Sequence, residues 1–210
     1  TGASNTAVGN DCMDSNTTGS NNTSMGVDSL QANTAGSNNV VIGVNALTTA
    51  TNMGNTVAIG FDALSANTSG HSNTAVGYQT LKANTSAHYL TAFGRQTLYS
   101  NTTGTSNTGL GYQTLYSNTT GGYNTGIGYQ ALRDNTTGAV NVAIGQYALA
   151  INTTGSNNVA TGYNSLGSQT TAQYNTAVGH RVAQALTTGS NNTAVGGLAL
   201  YVNTTGASNV

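Results

Sequence analysis

Glycine recurs at residues 9, 26, 43, 60, 77, 94, 111, 128, 145, 162, 179 and 196, a spacing of 17 that never slips. A unit of 17 residues is too small to bury a face of its own. Such units are stable only when each stacks on the next, as the coils of a solenoid do. Counting Asn5 as position 1, the unit reads approximately N-T-A-V-G-Y-Q-A-L-x-x-N-T-T-G-S-N. Two positions do not vary across the twelve units: glycine at position 5 and threonine at position 13, the latter including Thr119 and Thr136. The chain opens on GASNT (residues 2–6) and closes on GASNV (206–210), at the same phase, as expected of one continuous array over 1–210 cut from a longer fibre.

Position 2 is always Thr or Val, and position 4 is apolar in eleven of twelve units, Thr161 being the exception. Position 9 is Leu in ten units, Leu115 and Leu132 among them, with Met13 and Ala183 as departures. Alternation between positions 2 and 4 is the period of a strand with one buried face. The Gly- and Asn-rich remainder does not support helices. The expected architecture is therefore an all-β parallel β-solenoid, or β-roll, of twelve coils with two short strands per coil. At about 4.8 Å per coil the rod is about 58 Å long. In this reading the apolar side chains of positions 4 and 9 fill a thin core, and a small residue at position 8, Cys12 included, relieves a corner. The glycines, Gly9, Gly60, Gly111 and Gly128 among them, supply a bend that needs φ > 0 or close backbone approach. The threonine at position 13 points inward with its hydroxyl bonded to the next coil, and alternation then sends positions 12 and 14 outward.

The segments Asn55-Thr56-Val57-Ala58-Ile59-Gly60 and Asn141-Val142-Ala143-Ile144-Gly145 resemble the Asn-Ser-Val-Ala-Ile-Gly repeat of YadA-like trimeric autotransporter adhesin heads. Thr23-Ser24-Met25-Gly26 and Thr193-Ala194-Val195-Gly196 are looser versions, and arrays of the NTAVGYQAL kind also look like phage-type and other surface-fibre repeats. The resemblance covers about six residues of every unit. It implies a left-handed β-roll, association as a homotrimer, and an extracellular or virion-surface location. Asn-Thr-Thr-Gly lengthens the coil beyond the adhesin pattern, and no coiled-coil stalk or membrane anchor lies within these residues.

Only 4% of residues are charged and the net charge is −1, so the chain carries no electrostatic footprint for nucleic acid or an anionic membrane. A single cysteine excludes an intrachain disulfide and a multi-cysteine zinc site. No apolar run approaches the length of a membrane helix. No cofactor is implied, and an enzyme is the least favoured class. His71 and His88 share position 16 on adjacent coils, a spacing compatible with a metal pair but read better as two solvated loop histidines. Asp11, Asp28 and Asp62 share position 7 with Asn45, Gln79, Gln96, Gln113 and Gln130, a run read either as a calcium site at its acidic end or as an exposed polar ladder.

The sharper candidate is glycan attachment. Position 12 supplies Asn-x-Ser/Thr sequons at Asn16, Asn67, Asn84, Asn101, Asn118, Asn135, Asn152 and Asn203, and position 14 supplies outward threonines. Tyrosines cluster at positions 6, 10 and 17, as sugar-binding aromatics or as β-formers covering the sheet. The leading expectation is the structural rod of an extracellular fibre or adhesin that self-associates. The alternative is a module binding cell-surface glycans or ice along one flat face.

Overall fold

Positions 2–4 form the one regular strand of each coil. A computed structural model describing residues 2–210 places these strands from β1 (Thr6–Val8) and β2 (Thr23–Met25) to β12 (Thr193–Val195), with no helix among the described residues. They stack in sequence order as a single parallel sheet of twelve strands. Register follows the repeat without a slip, so that Thr108, Gly109 and Leu110 pair with Thr125, Gly126 and Ile127. The expected parallel β-solenoid of 17-residue coils is therefore present.

The second strand expected in each coil is not. Positions 7, 9 and 17 all take positive φ, as at Gln113 (50°), Leu115 (54°) and Tyr123 (60°), and a chain turning this often cannot run straight. The far wall is held instead by a ladder outside any strand. Thr119 N–H and Thr120 N–H both donate to the Thr136 carbonyl, at 2.9 and 3.3 Å. The position-5 glycines have φ between 109° and 138°, as the sequence required. A Cβ on Gly111 would also lie 2.6 Å from the Gly128 carbonyl oxygen, so both conformation and space exclude a side chain there.

The position-9 leucines are core as expected, but the strand faces the opposite way from the expectation. In β3 to β12 the middle strand residue is buried and its two neighbours are half-buried or exposed. The tight coil explains this. A Cβ on Gly109 would approach the Thr97 methyl to 2.5 Å, so only small residues fit inward at position 3, apart from Val41. Val, Ile, Leu and Phe at position 4 consequently face out. The apolar interior consists mainly of alanines at positions 3 and 8 and the leucines of position 9, for example Leu98, Leu115 and Leu132, all fully buried. Each of these leucines sits in the left-handed region at a cost of about 1–2 kcal/mol. Full burial of a leucine contributes about 1.5–3 kcal/mol and offsets that strain.

Asparagine fills the rest of the interior. At position 1, Asn141 accepts the Asn158 N–H at its Oδ1 (3.0 Å) and donates from Nδ2 to the Gly155 carbonyl (2.8 Å). At position 12 the amides bond to one another from coil to coil: Asn118 Nδ2 donates to Asn101 Oδ1, and Asn135 Nδ2 to Asn118 Oδ1, each at 2.8 Å. The same Nδ2 of Asn118 reaches the Gly121 carbonyl at 2.9 Å. Glycine at position 15 leaves room for this amide, since a Cβ on Gly138 would meet Asn135 Oδ1 at 2.4 Å. Where position 12 is the smaller Ala50, position 15 becomes Met53, which is buried and accepts from Asn67 Nδ2 through its sulfur at 2.7 Å.

Replacing Asn118 by Ala removes three buried hydrogen bonds and is expected to lower stability by about 2–4 kcal/mol. Thr120→Ala on the outer surface is expected to stay within about 0.5 kcal/mol of the parent. Chemical denaturation of the two variants side by side checks this ranking. The amide ladder ends at Asn152, whose buried Oδ1 has no partner, because Gln169 turns its own amide to the Ala172 carbonyl at 3.1 Å. Gln169→Asn is expected to extend the ladder and raise stability by about 1 kcal/mol, read as a higher melting temperature.

Candidate functional site

The sequon asparagines are not on the surface. Asn67, Asn84, Asn101, Asn118, Asn135 and Asn152 are fully buried, and Asn16 and Asn203 in the terminal coils are half-buried. Nδ2, the atom that would carry a sugar, is committed to the coil interior at Asn67 through Asn152 and donates to the Gly19 carbonyl at Asn16. The expectation of outward asparagines is overturned for the reason given above: a narrow polar interior takes the amide and sends larger apolar groups out. Thr119 and Thr136 are likewise corrected. They are half-buried on the outer side rather than core, although their hydroxyls do bond the next coil, Thr119 Oγ1 donating to the Thr136 carbonyl at 3.1 Å. Position 14 does face outward, with Thr103, Thr120, Thr137 and Thr154 exposed.

The reversal creates a surface that sequence reasoning missed. Positions 2 and 4 stand outward along all twelve strands, and position 6 continues the face beyond the glycine bend. Val8 (53%), Phe93 (41%), Ile144 (39%) and Val195 (69%) are exposed in the position-4 column. Val27, Val44, Phe61, Tyr78, Tyr129 and Tyr163 are exposed in the position-6 column. A signal for this was available. Position 4 accepts Val, Met, Ile, Phe, Leu and Thr, a spread of volumes that a close-packed interior does not tolerate. Position 3 is held to Ala, Gly and Ser except at Val41.

Within this face the position-6 column stacks its rings. Phe61 lies on Tyr78 with centroids 5.5 Å apart, Arg95 sits between Tyr78 and Tyr112 at 5.4 and 5.9 Å, and Tyr112 lies on Tyr129 at 5.2 Å. Tyr163 and His180 stack further along, at 5.4 Å, and Tyr99 stacks on Tyr116 at 5.1 Å in the position-10 column. In these pairs the ring faces are taken up by the neighbouring rung.

Position 7 carries a directional amide chain. Gln130 donates to Gln113, Gln113 to Gln96 and Gln96 to Gln79, at 3.0 to 3.2 Å, and Gln79 reaches Asp62 at 3.4 Å. Arg133 feeds the chain at Gln130, and Lys82 pairs with Asp62 at 2.9 Å. Burial pushes the Asp62 carboxyl up, but hydrogen bonds from Lys82, Asn45 and Gln79 outweigh it and hold its pKa below the ordinary aspartate value. An open groove of about 510 Å³ runs past Asp28, Asn45 and Asp62, between Gln31 and Lys82 of the position-10 column, where the short Thr48 and Ser65 lie between them. Asp62 is already satisfied by three donors, so this end of the column is a polar ladder in its geometry. Asp11 lies on the exposed end of the same column, where it accepts from Asn10 Nδ2 at 2.7 Å. Among the described residues, no group of three or more His, Cys, Asp or Glu is placed to hold a metal ion, and no helix is long and apolar enough to cross a membrane.

No protein-family model, curated protein or solved structure matches the chain. The likeness to adhesin heads rests on the strand-and-bend residues alone.

Expression through a glycosylating secretory pathway followed by enzymatic removal of N-glycans is expected to leave the mass of the folded protein unchanged at Asn118 and Asn135. Peptide mass spectrometry reporting sugar on either residue would contradict the buried amide ladder.

Proposed function

We propose that the chain is the structural rod of an extracellular fibre or surface adhesin, with copies of the rod held together through the outer strand face. The observation that supports this is the exposed apolar face on a rod of uniform register. Three columns of twelve rungs span about 55 by 16 Å, roughly 900 Å² of face per copy, with an apolar residue at eleven of the twelve position-4 rungs. Covering it on two copies removes roughly 1,800 Å² from water, the range of a stable specific interface. Positions 2 and 4 carry no charged residue, and Arg95 is the one charge at position 6 that the paired face must accommodate. Depletion of charge at the centre of a patch is the compositional mark of an interface. A second copy also repeats the same rung spacing over its whole length. The extracellular setting, and a trimer as the stoichiometry, rest on the resemblance to adhesin heads.

A sugar-binding platform is less favoured, because the stacked tyrosines offer edges and hydroxyls to solvent where a sugar requires ring faces. Ice is less favoured because Phe93, Leu110 and Thr161 interrupt the evenness of the position-4 column.

Ile127→Glu combined with Ile144→Glu places two carboxylates in the middle of the face, and sedimentation velocity then reads the outcome. The parent chain is expected to form a species of defined stoichiometry, and the double variant to sediment as a monomer with unchanged circular dichroism. A parent chain that stays monomeric as concentration rises would overturn the proposal, and thermal hysteresis from that monomer would favour ice instead.

A further inference from the structure

At position 16 a recurring bond links adjacent coils: the backbone N–H of one residue is accepted by the side chain of its counterpart one coil on. Ser20 Oγ accepts from Ala3 N–H at 3.1 Å, Ser37 Oγ from Ser20 at 2.9 Å, Ser156 Oγ from Ala139 at 3.0 Å and Ser190 Oγ from Gln173 at 3.0 Å. At one corner the acceptor is an imidazole, where His71 N–H donates to His88 Nδ1 at 3.1 Å. A hydroxyl that does not titrate is thus exchanged for a ring that does. That bond also requires an unprotonated Nδ1, so the neutral ring carries its hydrogen on Nε2.

The surroundings offer a proton on His88 nothing to stabilise it. The two imidazoles stack with centroids 4.1 Å apart, and His71 Nδ1 lies 3.2 Å from Ser72 Oγ. Tyr89 packs against both rings at 5.7 and 6.1 Å and is the other titratable group at the corner. Position 16 of the flanking coils is Gly54 and Thr105, neither of which carries charge. The ion pairs among the described residues, Lys82–Asp62 and Arg133–Asp134, include neither histidine.

We propose that the His71–His88 corner is a proton-sensitive latch between adjacent coils. A proton taken up at His88 Nδ1 removes the acceptor of His71 N–H, sets a cation against a second imidazole, and loosens the rod at this point along its length. Burial first, and the facing His71 second, hold the His88 pKa below the ordinary histidine value. The fold therefore favours neutral His88. Its contribution is intact above the unfolded-state pKa of about 6.5 and declines as pH falls from there toward the lower folded-state value.

Amide hydrogen exchange at a series of pH values, corrected for intrinsic exchange rates, tests the latch in the intact chain. Protection of His71 N–H is expected to fall as pH drops from about 6.5 toward the lower folded-state pKa of His88, by up to about tenfold per pH unit, and to level off below it. Protection of Gln173 N–H, whose acceptor is Ser190 Oγ, is expected to stay level over the same range. His88→Ser installs the hydroxyl used at four other coils and is expected to keep His71 protected while abolishing the pH dependence. A level His71 profile in the parent, or a decline that survives His88→Ser, would overturn the latch. Ring ¹⁵N shifts of the parent give an independent reading, and Nδ1 protonated at neutral pH would also overturn it.

Discussion

Hydrogen bonding from each coil to the next, at the same atoms every 17 residues, is the interaction on which the rest of this structure depends. A strand of three residues contributes little alone, and the interior is too narrow for a conventional hydrophobic core. The chain compensates by tying backbone and side chains to the same neighbours. At the position-13 corner one carbonyl, that of Thr136, accepts from Thr119 N–H, Thr120 N–H and the Thr119 hydroxyl. This gives the invariant threonine a physical reason: its backbone and its side chain close on one acceptor, and its own carbonyl serves the preceding coil in the same way. Because every coil depends on both neighbours, stability accrues along the array and not within any unit.

That dependence decides what faces out. An interior lined mainly by amides, small residues and the position-9 leucines has little room beside the strand, so the larger β-branched and aromatic groups of the strand form the outer face. The same constraint that makes the coil tight makes its surface apolar, and a rod with an apolar face along its length is suited to lie against another rod. In the proposed fibre, folding and assembly are one solution to one packing problem.

Much of the fold was legible in the sequence, since a strict period leaves few architectures open. The solenoid, the parallel stacking, the bend at Gly111 and the coil-to-coil hydroxyl bond of Thr119 all followed from spacing and residue type. The sidedness did not, for a specific reason. Apolar-in and polar-out is a rule about transfer free energy, and it presumes that an apolar side chain fits inside. Here volume overrode polarity: Ile127 was expected inside and stands outside, while Asn118 was expected outside and is fully buried. The second strand failed for a related reason, because leucine at Leu115 gives no hint of a left-handed conformation that asparagine or glycine would have announced. The glycan sites inherited the same error of sidedness.

The amide ladders also give the rod a direction. From Gln130 to Gln79 at position 7, and from Asn152 to Asn84 at position 12, each amide donates toward the N-terminal coil, as Gln113 does to Gln96 and Asn118 to Asn101. Hydrogen bonds aligned head to tail polarise one another, so each rung strengthens the next until the run is interrupted. At position 7 the run is closed by charge, with Arg133 feeding its donor end and Asp62 receiving at its acceptor end. At position 12 it stops at Asn152, where Gln169 leaves a buried oxygen without a partner. An uninterrupted ladder would stiffen the chain uniformly. Interruptions at Ala50 and Gln169, and an imidazole at position 16 between them, instead divide one continuous rod into stretches of unequal strength. The repeat fixes the shape of the rod, and the departures from the repeat fix where it yields.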